Sequence, residues 1–292
     1  MRVARQAGEL GPARRAVALG TFDGVHRGHQ AVVRAAVDAA AGLEGVPTAV
    51  TFDPHPRVVF GHRVELLTTL ERRLELLEAG GIEEALVVEF SPEVSDLTPD
   101  EFVRDYLLAM GTEVVVAGGE FRFGRGRAGD LETIRALGID ALAVPAVEGV
   151  SSSRIRALVT DGELSEAAGL LGRPLELDGL VVGGDRRGGT LGFPTANLRV
   201  APEQLVPPYG IYAGAVGDRR AAVSIGVNPH YGGSERRIEA FLLDWHGNLY
   251  GDRLVLELWQ RLREERVFES EAALIDQIAR DVEQTRAAVR PA

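Results

Sequence analysis

His26 and His29 stand three residues apart in the stretch Leu19-Gly20-Thr21-Phe22-Asp23-Gly24-Val25-His26-Arg27-Gly28-His29. The apolar run Ala16–Leu19 before it reads as a buried strand, and Gln30–Val37 after it reads as a helix. The spacing puts both imidazoles on one face of the first helical turn. Gly28 between them leaves room for a bulky group to approach the backbone. A helix start offers unpaired N–H groups and the positive end of its dipole, which favours an anion. Two imidazoles and a helix N-terminus aimed at one spot make a phosphate site. The competing reading is a surface turn with two solvated histidines; the strand before and the glycines within favour the phosphate site.

Four further stretches carry chemistry. Gly118–Asp130 holds five glycines, three arginines and two phenylalanines. It reads either as a lid with ring-stacking and phosphate-pairing side chains or as a long surface loop with an apolar anchor. Ser151-Ser152-Ser153-Arg154-Ile155-Arg156 opens a helix with arginines against its dipole, which suggests an anion nearby; the alternative is a plain N-cap with solvated arginines. Thr195 and Asn197 alternate after a glycine-rich turn, so on an extended backbone they point the same way. Both offer oxygen ligands suited to Mg²⁺ beside phosphates. Glu239 interrupts the apolar strand Ile238–Leu243 as either a general base or a salt-bridge partner.

Composition removes whole classes of mechanism. The chain has no cysteine and no lysine, so all 32 basic residues are arginine. Disulfides, thiolate metal sites, Walker A loops, protein-kinase strand lysines and pyridoxal Schiff bases are excluded. The net charge of −11 argues against a nucleic-acid binder. It also repels ATP, so arginines, helix N-termini and a metal ion must supply local attraction. No apolar run approaches the ~20 residues of a membrane span. No secretory signal is visible, and the cytoplasm is the default location.

The elements that must position these residues divide the 292-residue chain in two. From Ala16 to about Leu171, apolar strands alternate with amphipathic helices, the pattern of a parallel sheet covered on both faces. The helix after Thr68-Thr69-Leu70-Glu71 carries Leu70, Leu74 and Leu77 on one face, and a second capping box, Thr98–Glu101, opens another helix reaching Gly111. Ligands of such sheets bind beyond the carboxyl ends of the strands. The histidine stretch, the turn Asp53–Pro56 and the Gly118–Asp130 loop all lie there. After Arg173 short alternating strands predict a small β-barrel or sandwich, closed by a helix from Ser270 to Val289 with Leu274, Ile278 and Val282 inward. The boundary is placed near Gly169–Arg173.

Taken in order, these motifs resemble those of the bacterial bifunctional riboflavin kinase/FAD synthetases. Gly20–His29, Thr51–Pro56, Gly118–Asp130 and Ser151–Arg156 resemble the nucleotidyltransferase motifs. Leu191–Asn197, Gly210–Ala213, Glu239 and Arg263-x-Glu265-x-x-Phe268 resemble the kinase motifs. Glu120 stands where the family has Asp or Asn, Ser153 where Thr is common and Gly189 where many members have Arg. Pro229-His230-Tyr231 departs from the family's Pro-Thr-Phe. The resemblance implies a Rossmann-like α/β nucleotidyltransferase domain (1–170) and a riboflavin-kinase β-barrel with a terminal helix (171–292). It implies that riboflavin is phosphorylated to FMN, with Glu239 as base and Mg²⁺ on Thr195 and Asn197, and that FMN is then adenylylated to FAD beside His26 and His29. ATP contacts are implied at Gly20, Phe22, Asp23, Gly24, His26, Gly28, His29, Ser152, Arg154, Arg156, Gly184, Gly188, Thr195 and Asn197. Flavin contacts are implied at Asp53, His55, Glu120, Phe121, Asp130, Arg263, Glu265 and Phe268. Partners are then small molecules only, with self-association a further expectation. A single activity, or a non-catalytic flavin-binding or regulatory role, is the alternative.

Overall fold

The computed structural model describes residues 1–183, 193–227 and 236–291. Gly184, Gly188, Gly189, the Leu191-Gly192 pair and Pro229–Tyr231 therefore lie outside the described residues. The chain forms two compact units. One comprises Met1–Val64 and Leu70–Ser151, the other Glu65–Thr69 and Ser152–Ala292.

In the first unit the order is β1 (Arg2–Ala4), β2 (Arg15–Leu19), α1 (Arg27–Leu43), β3 (Val46–Asp53), α2 (Pro56–Val59), α3 (Leu70–Ala79), β4 (Glu84–Glu89), α4 (Pro92–Asp96), α5 (Pro99–Phe102), β5 (Thr112–Gly118), α6 (Leu131–Ala136) and β6 (Asp140–Val144). All pairings are parallel, in the order β1-β4-β3-β2-β5-β6. The chain winds outward from β2 through β3 to β4, then returns to place β5 on the other side of β2. That reversal opens a crevice at the carboxyl ends of β2 and β5. The central strands β2, β3, β4 and β5 are mainly apolar because both their faces are covered. Val17, Leu19, Val50 and Phe52 face one core with Phe102, Leu107 and Ile134. Ala16, Ala18, Ala49 and Val116 face the other with Val32, Val33 and Ala36 of α1 and Leu77 of α3.

Two short strands, β1 and β6, escape the sequence reading because each has only three to five residues at a sheet edge. The helix expected from Thr98 to Gly111 begins with its capping box. It then changes to a π-helical turn over Val103–Leu107 and a 3₁₀ turn over Leu108–Met110.

The second unit holds α7 (Ser152–Asp161), α8 (Leu164–Leu171), β7 (Leu175–Val182), β8 (Ala196–Val200), β9 (Gly210–Val216), β10 (Arg219–Val227), β11 (Arg236–Leu242), β12 (Arg253–Arg263) and α9 (Glu271–Ala287). The strands close into an antiparallel barrel, β10-β11-β8-β7-β12-β9. Its interior is filled by Leu177, Leu198, Tyr212, Val223, Ile225, Ile238, Ala240, Leu256 and Leu258. Ile155 and Val159 of α7 and Leu164, Ala167 and Leu171 of α8 share that core, which is why these helices fall in the second unit. Glu65–Thr69 belongs here too: Leu66 N–H donates to the Glu203 carbonyl, the Leu66 carbonyl accepts from Leu205 N–H, and Thr69 donates to Asp178.

The terminal helix starts where expected, with Ser270 as N-cap. Its buried face, however, is Gln277, Asp281, Val282 and Thr285, while Leu274 and Ile278 are only half-buried. The correction follows from a charge: Arg263 at the end of β12 pairs with Asp281 and turns that face inward. No helix among the described residues is long and apolar enough to cross a membrane.

Candidate active sites

The turn from β2 into α1 is strained. Phe22 and Val25 have positive φ, 51° and 40°. For a bulky or β-branched side chain this costs about 1–3 kcal/mol each, and it persists only where the surroundings over-determine it. Here burial does so, since Phe22 is 1% and Val25 3% exposed. His26 is the N-cap of α1, and its Nδ1 accepts the backbone N–H of His29 at 3.3 Å. A neutral His26 therefore carries its proton on Nε2. The two imidazoles stack with centroids 3.6 Å apart and planes 15° from parallel. The space at Gly28 is taken by the His26 ring, 3.2 Å from a Cβ placed there. Gly28 thus gives the histidine stack its room.

Burial first, then the charges of His26 and Arg73, hold the His29 imidazole well below its ordinary pKa. Its Nδ1 is buried without a hydrogen-bond partner. The first turn of α1 carries no acidic residue. It offers an anion backbone N–H groups and an uncharged imidazole.

This turn forms one wall of a cleft of about 1240 Å³ at the carboxyl ends of the strands. Gly20, Thr21, Phe22 and His29 line it from β2–α1, His55 to Arg57 from the turn after β3, and Gly118 to Arg127 from the loop after β5. His26, Asp23, Gly24 and Gly28 are not on its surface, and Asp23 is 1% exposed. Seven of the ten phenylalanines line the cleft: Phe22, Phe52, Phe60, Phe90, Phe102, Phe121 and Phe123. Phe121 stacks on Phe123 at 6.0 Å, and Phe123 meets Phe102 at 5.4 Å. Of these, the sequence points to Phe22 and to the Phe121 and Phe123 rings of the Gly118–Asp130 loop. The other four come from separate elements and share no local spacing.

The loop after β5 is tied down. Phe123 bridges Gly129, Arg125 N–H donates to the Leu97 carbonyl, and Cβ atoms at Gly124 or Gly129 would strike Pro99. Glu120 lines the cleft. Asp130 does not: its carboxylate caps α6, accepting from Thr133 N–H at 3.1 Å, and this bond chiefly lowers its pKa. Asp53 lies 3.8 Å from the Arg5 guanidinium. His55 lines the cleft, with Nδ1 accepting from Arg57 N–H.

In the second unit, strand register assembles a row that no local spacing reveals. Asn197 of β8 lies opposite Val182 of β7 on one side and Glu239 of β11 on the other. Glu239 lies opposite Ser224, Ser224 opposite Ile211, and Ile211 opposite Arg263. Side chains of directly opposed residues stand on one face about 5 Å apart. Their strand neighbours fill the interior, so the row faces outward. A cleft of about 570 Å³ adjoins it, lined by Val182, Gly183, Pro194, Thr195 and Asn197 together with Trp245 to Tyr250.

Arg263 donates to Asp281 from Nη2 at 2.7 Å and from Nε at 3.0 Å. Its guanidinium also lies 5.7 Å from the Phe268 ring. Glu265 folds over Gly226, and burial raises its pKa. Ser152, Arg154 and Arg156 sit on α7 in the second unit. Arg154 pairs with Glu166 at 2.9 Å, and Arg156 donates to the Glu65 carbonyl at 2.7 Å.

Comparison with known proteins places both units. A family model for FAD synthetase matches residues 11–156, and one for riboflavin kinase matches residues 171–289. The bifunctional riboflavin kinase/FMN adenylyltransferase of Listeria monocytogenes is 39% identical over 93% of this chain and 91% of its own. That of Bacillus subtilis is 35% identical over 92% and 90%. A crystal structure from Streptococcus pneumoniae, described as a macrolide-efflux protein, superposes with a TM-score of 0.87 at 31% identity, over 98% of this chain and 99% of that one. With both family models matched in order and relatives above 30% identity along most of its length, the chain belongs to the bifunctional riboflavin kinase/FMN adenylyltransferase family.

Proposed function

We propose that the barrel and the parallel-sheet unit perform the family's two reactions in sequence. The enzyme phosphorylates riboflavin to FMN with ATP, then joins FMN to AMP from a second ATP to give FAD and pyrophosphate. The observation that carries the division of labour is the presence of two separate polar centres. One is a strained strand-to-helix turn with a neutral His29; the other is Glu239 beside Asn197 on the barrel wall. Adenylyl transfer is assigned to residues 1–170, of which 65–69 and 152–170 fold with the barrel, and the kinase reaction to 171–292.

In the kinase, Glu239 accepts the proton of riboflavin's terminal hydroxyl as its oxygen bonds to the γ-phosphorus. The bond from that phosphorus to the β-phosphate oxygen breaks, and ADP leaves. Thr195 and Asn197 fit a hard divalent cation such as Mg²⁺. Both carry oxygen donors, both line the cleft, and neither side chain has a hydrogen-bond partner among the described residues. When bound, the cation supplies charge neutralisation to the triphosphate. Arg263, Glu265 and Phe268 are assigned to the flavin side of this centre; the Asp281 pair makes Arg263 a support for that segment. Gly184 and Gly188 are carried forward as ATP contacts on the motif resemblance alone.

In adenylyl transfer an FMN phosphate oxygen bonds to the α-phosphorus, and the α–β bridge breaks. FMN's phosphate is already ionised, so no base is needed. His29 donates a hydrogen bond to charge developing on the phosphates, and His26 fixes the ring by stacking. The phenylalanine wall suits an isoalloxazine ring, with Asp53, His55, Glu120 and Phe121 on the flavin side. Asp130 supports that side through α6. Gly20, Phe22, Asp23, Gly24 and Gly28 shape the ATP loop. Ser152, Arg154 and Arg156 are assigned to ATP on the resemblance of their motif. A cytoplasmic location is carried forward from the sequence reading alone, and self-association from the resemblance alone.

The test is to incubate the protein with riboflavin, ATP and Mg²⁺ and to separate the flavins chromatographically. His29→Ala is expected to stop at FMN. Glu239→Ala is expected to lose FMN formation yet still convert supplied FMN to FAD. Equal loss of both steps in Glu239→Ala, with the fold intact, would refute the two-centre assignment.

A further inference from the structure

Arg73 lies in the middle of α3 and is 1% exposed. Its Nη1 donates to the Phe52 carbonyl at 3.1 Å and to the Thr51 hydroxyl at 3.4 Å. The Thr51 hydroxyl in turn donates to the Thr21 carbonyl at 3.1 Å, inside the strained Gly20–Val25 turn. Thr51 is itself fully buried. The remaining nitrogens of Arg73, Nε and Nη2, are buried without a partner. Stability does not explain such a residue. A buried cation with two unused donors is costly, and an apolar side chain of similar volume would commonly be as stable or more so. Asp23 and Asp53 favour its charge against the burial that opposes it. Arg73 does not line the cleft, so it reaches ligands only through other groups.

We infer that Arg73 is a positioning residue for adenylyl transfer. Through Thr51 it holds the Thr21 carbonyl and so the phosphate turn in its strained form, and it sets a buried positive charge behind that turn. Such a charge is in place before reaction and needs no reorganisation as phosphate charge develops. In a chain of net charge −11, it supplies local attraction that the overall field denies. The inference rests on the assignment of adenylyl transfer to the first unit.

The test uses the full chain with Arg73→Met, Arg73→Lys and Thr51→Val. FAD formation from supplied FMN and ATP is measured over both substrate ranges, and FMN formation from riboflavin is measured in the same preparations. Rates are normalised to the folded fraction found by calorimetry. Arg73→Met is expected to lower kcat for FAD formation by about 10- to 100-fold, the scale of a displaced reacting group, with KM for FMN and the kinase rate unchanged. Arg73→Lys restores charge and recovers part of kcat. Thr51→Val keeps the charge, cuts the link to Thr21, and also lowers kcat. Undiminished kcat in Arg73→Met overturns the inference. So does a loss that follows folded fraction alone and is not recovered by Lys. If Arg73→Met does not fold, the Lys and Thr51→Val variants decide. A wild-type chain that makes FMN but no FAD refutes the adenylyl-transfer assignment instead.

Discussion

Asp281→Asn probes the inward polar face of α9. The Asp281 side chain is 4% exposed and that of Arg263 18%, and the carboxylate also accepts from Gln277 Nε2 at 2.8 Å. The substitution keeps the shape and removes the charge, which leaves Arg263 nearly buried without its counterion. Breaking a buried pair from one side costs about 3–5 kcal/mol. Residual solvent at Arg263, and its bond to the Glu264 carbonyl, place this case near the lower end. A loss of about 3 kcal/mol in a unit of this size lowers Tm by roughly 10 °C. Calorimetry of the full chain should show the barrel's transition shifted by that amount. KM for riboflavin should rise, because Arg263 supports Glu265 and Phe268. FAD formation from supplied FMN should be unchanged below the transition. Arg263→Met combined with Asp281→Leu should regain much of the lost stability, since neither charge then remains buried. A Tm shift below about 2 °C in Asp281→Asn would refute the reasoning. So would a double variant less stable than the single one.

His29 is neutral in the folded protein, and its pKa lies well below the usual 6.5. Below 6.5 the unfolded chain takes up a proton that the folded chain refuses, so stability falls with falling pH and is flat above that value. Thermal unfolding of the first unit across this range should show that slope, and His29→Gln should flatten it. Phe121→Ala removes one ring of the stacked pair; aromatic contacts of about 0.5–1.5 kcal/mol predict KM for FMN raised up to roughly tenfold, with KM for riboflavin unchanged.

Residue types and short spacings carried much of each site into view, whereas contacts between distant strands and helices did not. His26 and His29 are legible because a strand, a glycine turn and a helix start lie within a dozen residues. Glu239 and Asn197 are legible singly, but their direct opposition depends on the register of β8 against β11. Arg73 looks like a solvated charge, yet it falls three residues after Leu70 and four before Leu77, on the face that α3 buries. That spacing was a usable signal. Asp130 begins an Asp-x-x-Thr capping box, which explains its carboxylate's occupation by α6. The inward face of α9 escaped because an ion pair, not an apolar stripe, selects it.

The placement of Glu65–Thr69 bears on how the molecule is made. During synthesis these residues leave the ribosome about 140 residues ahead of Gln204 and Leu205, beside which Leu66 finally pairs. At ordinary elongation rates that delay is roughly ten seconds, long enough for the parallel sheet to form around an uncommitted Leu66 and Leu67. A barrel expressed alone from Ser152 would lack this segment. Leu205 would lose its bond to the Leu66 carbonyl and Asp178 the Thr69 hydroxyl. Attempts to separate the two activities genetically should therefore supply the segment in trans or splice it ahead of α7.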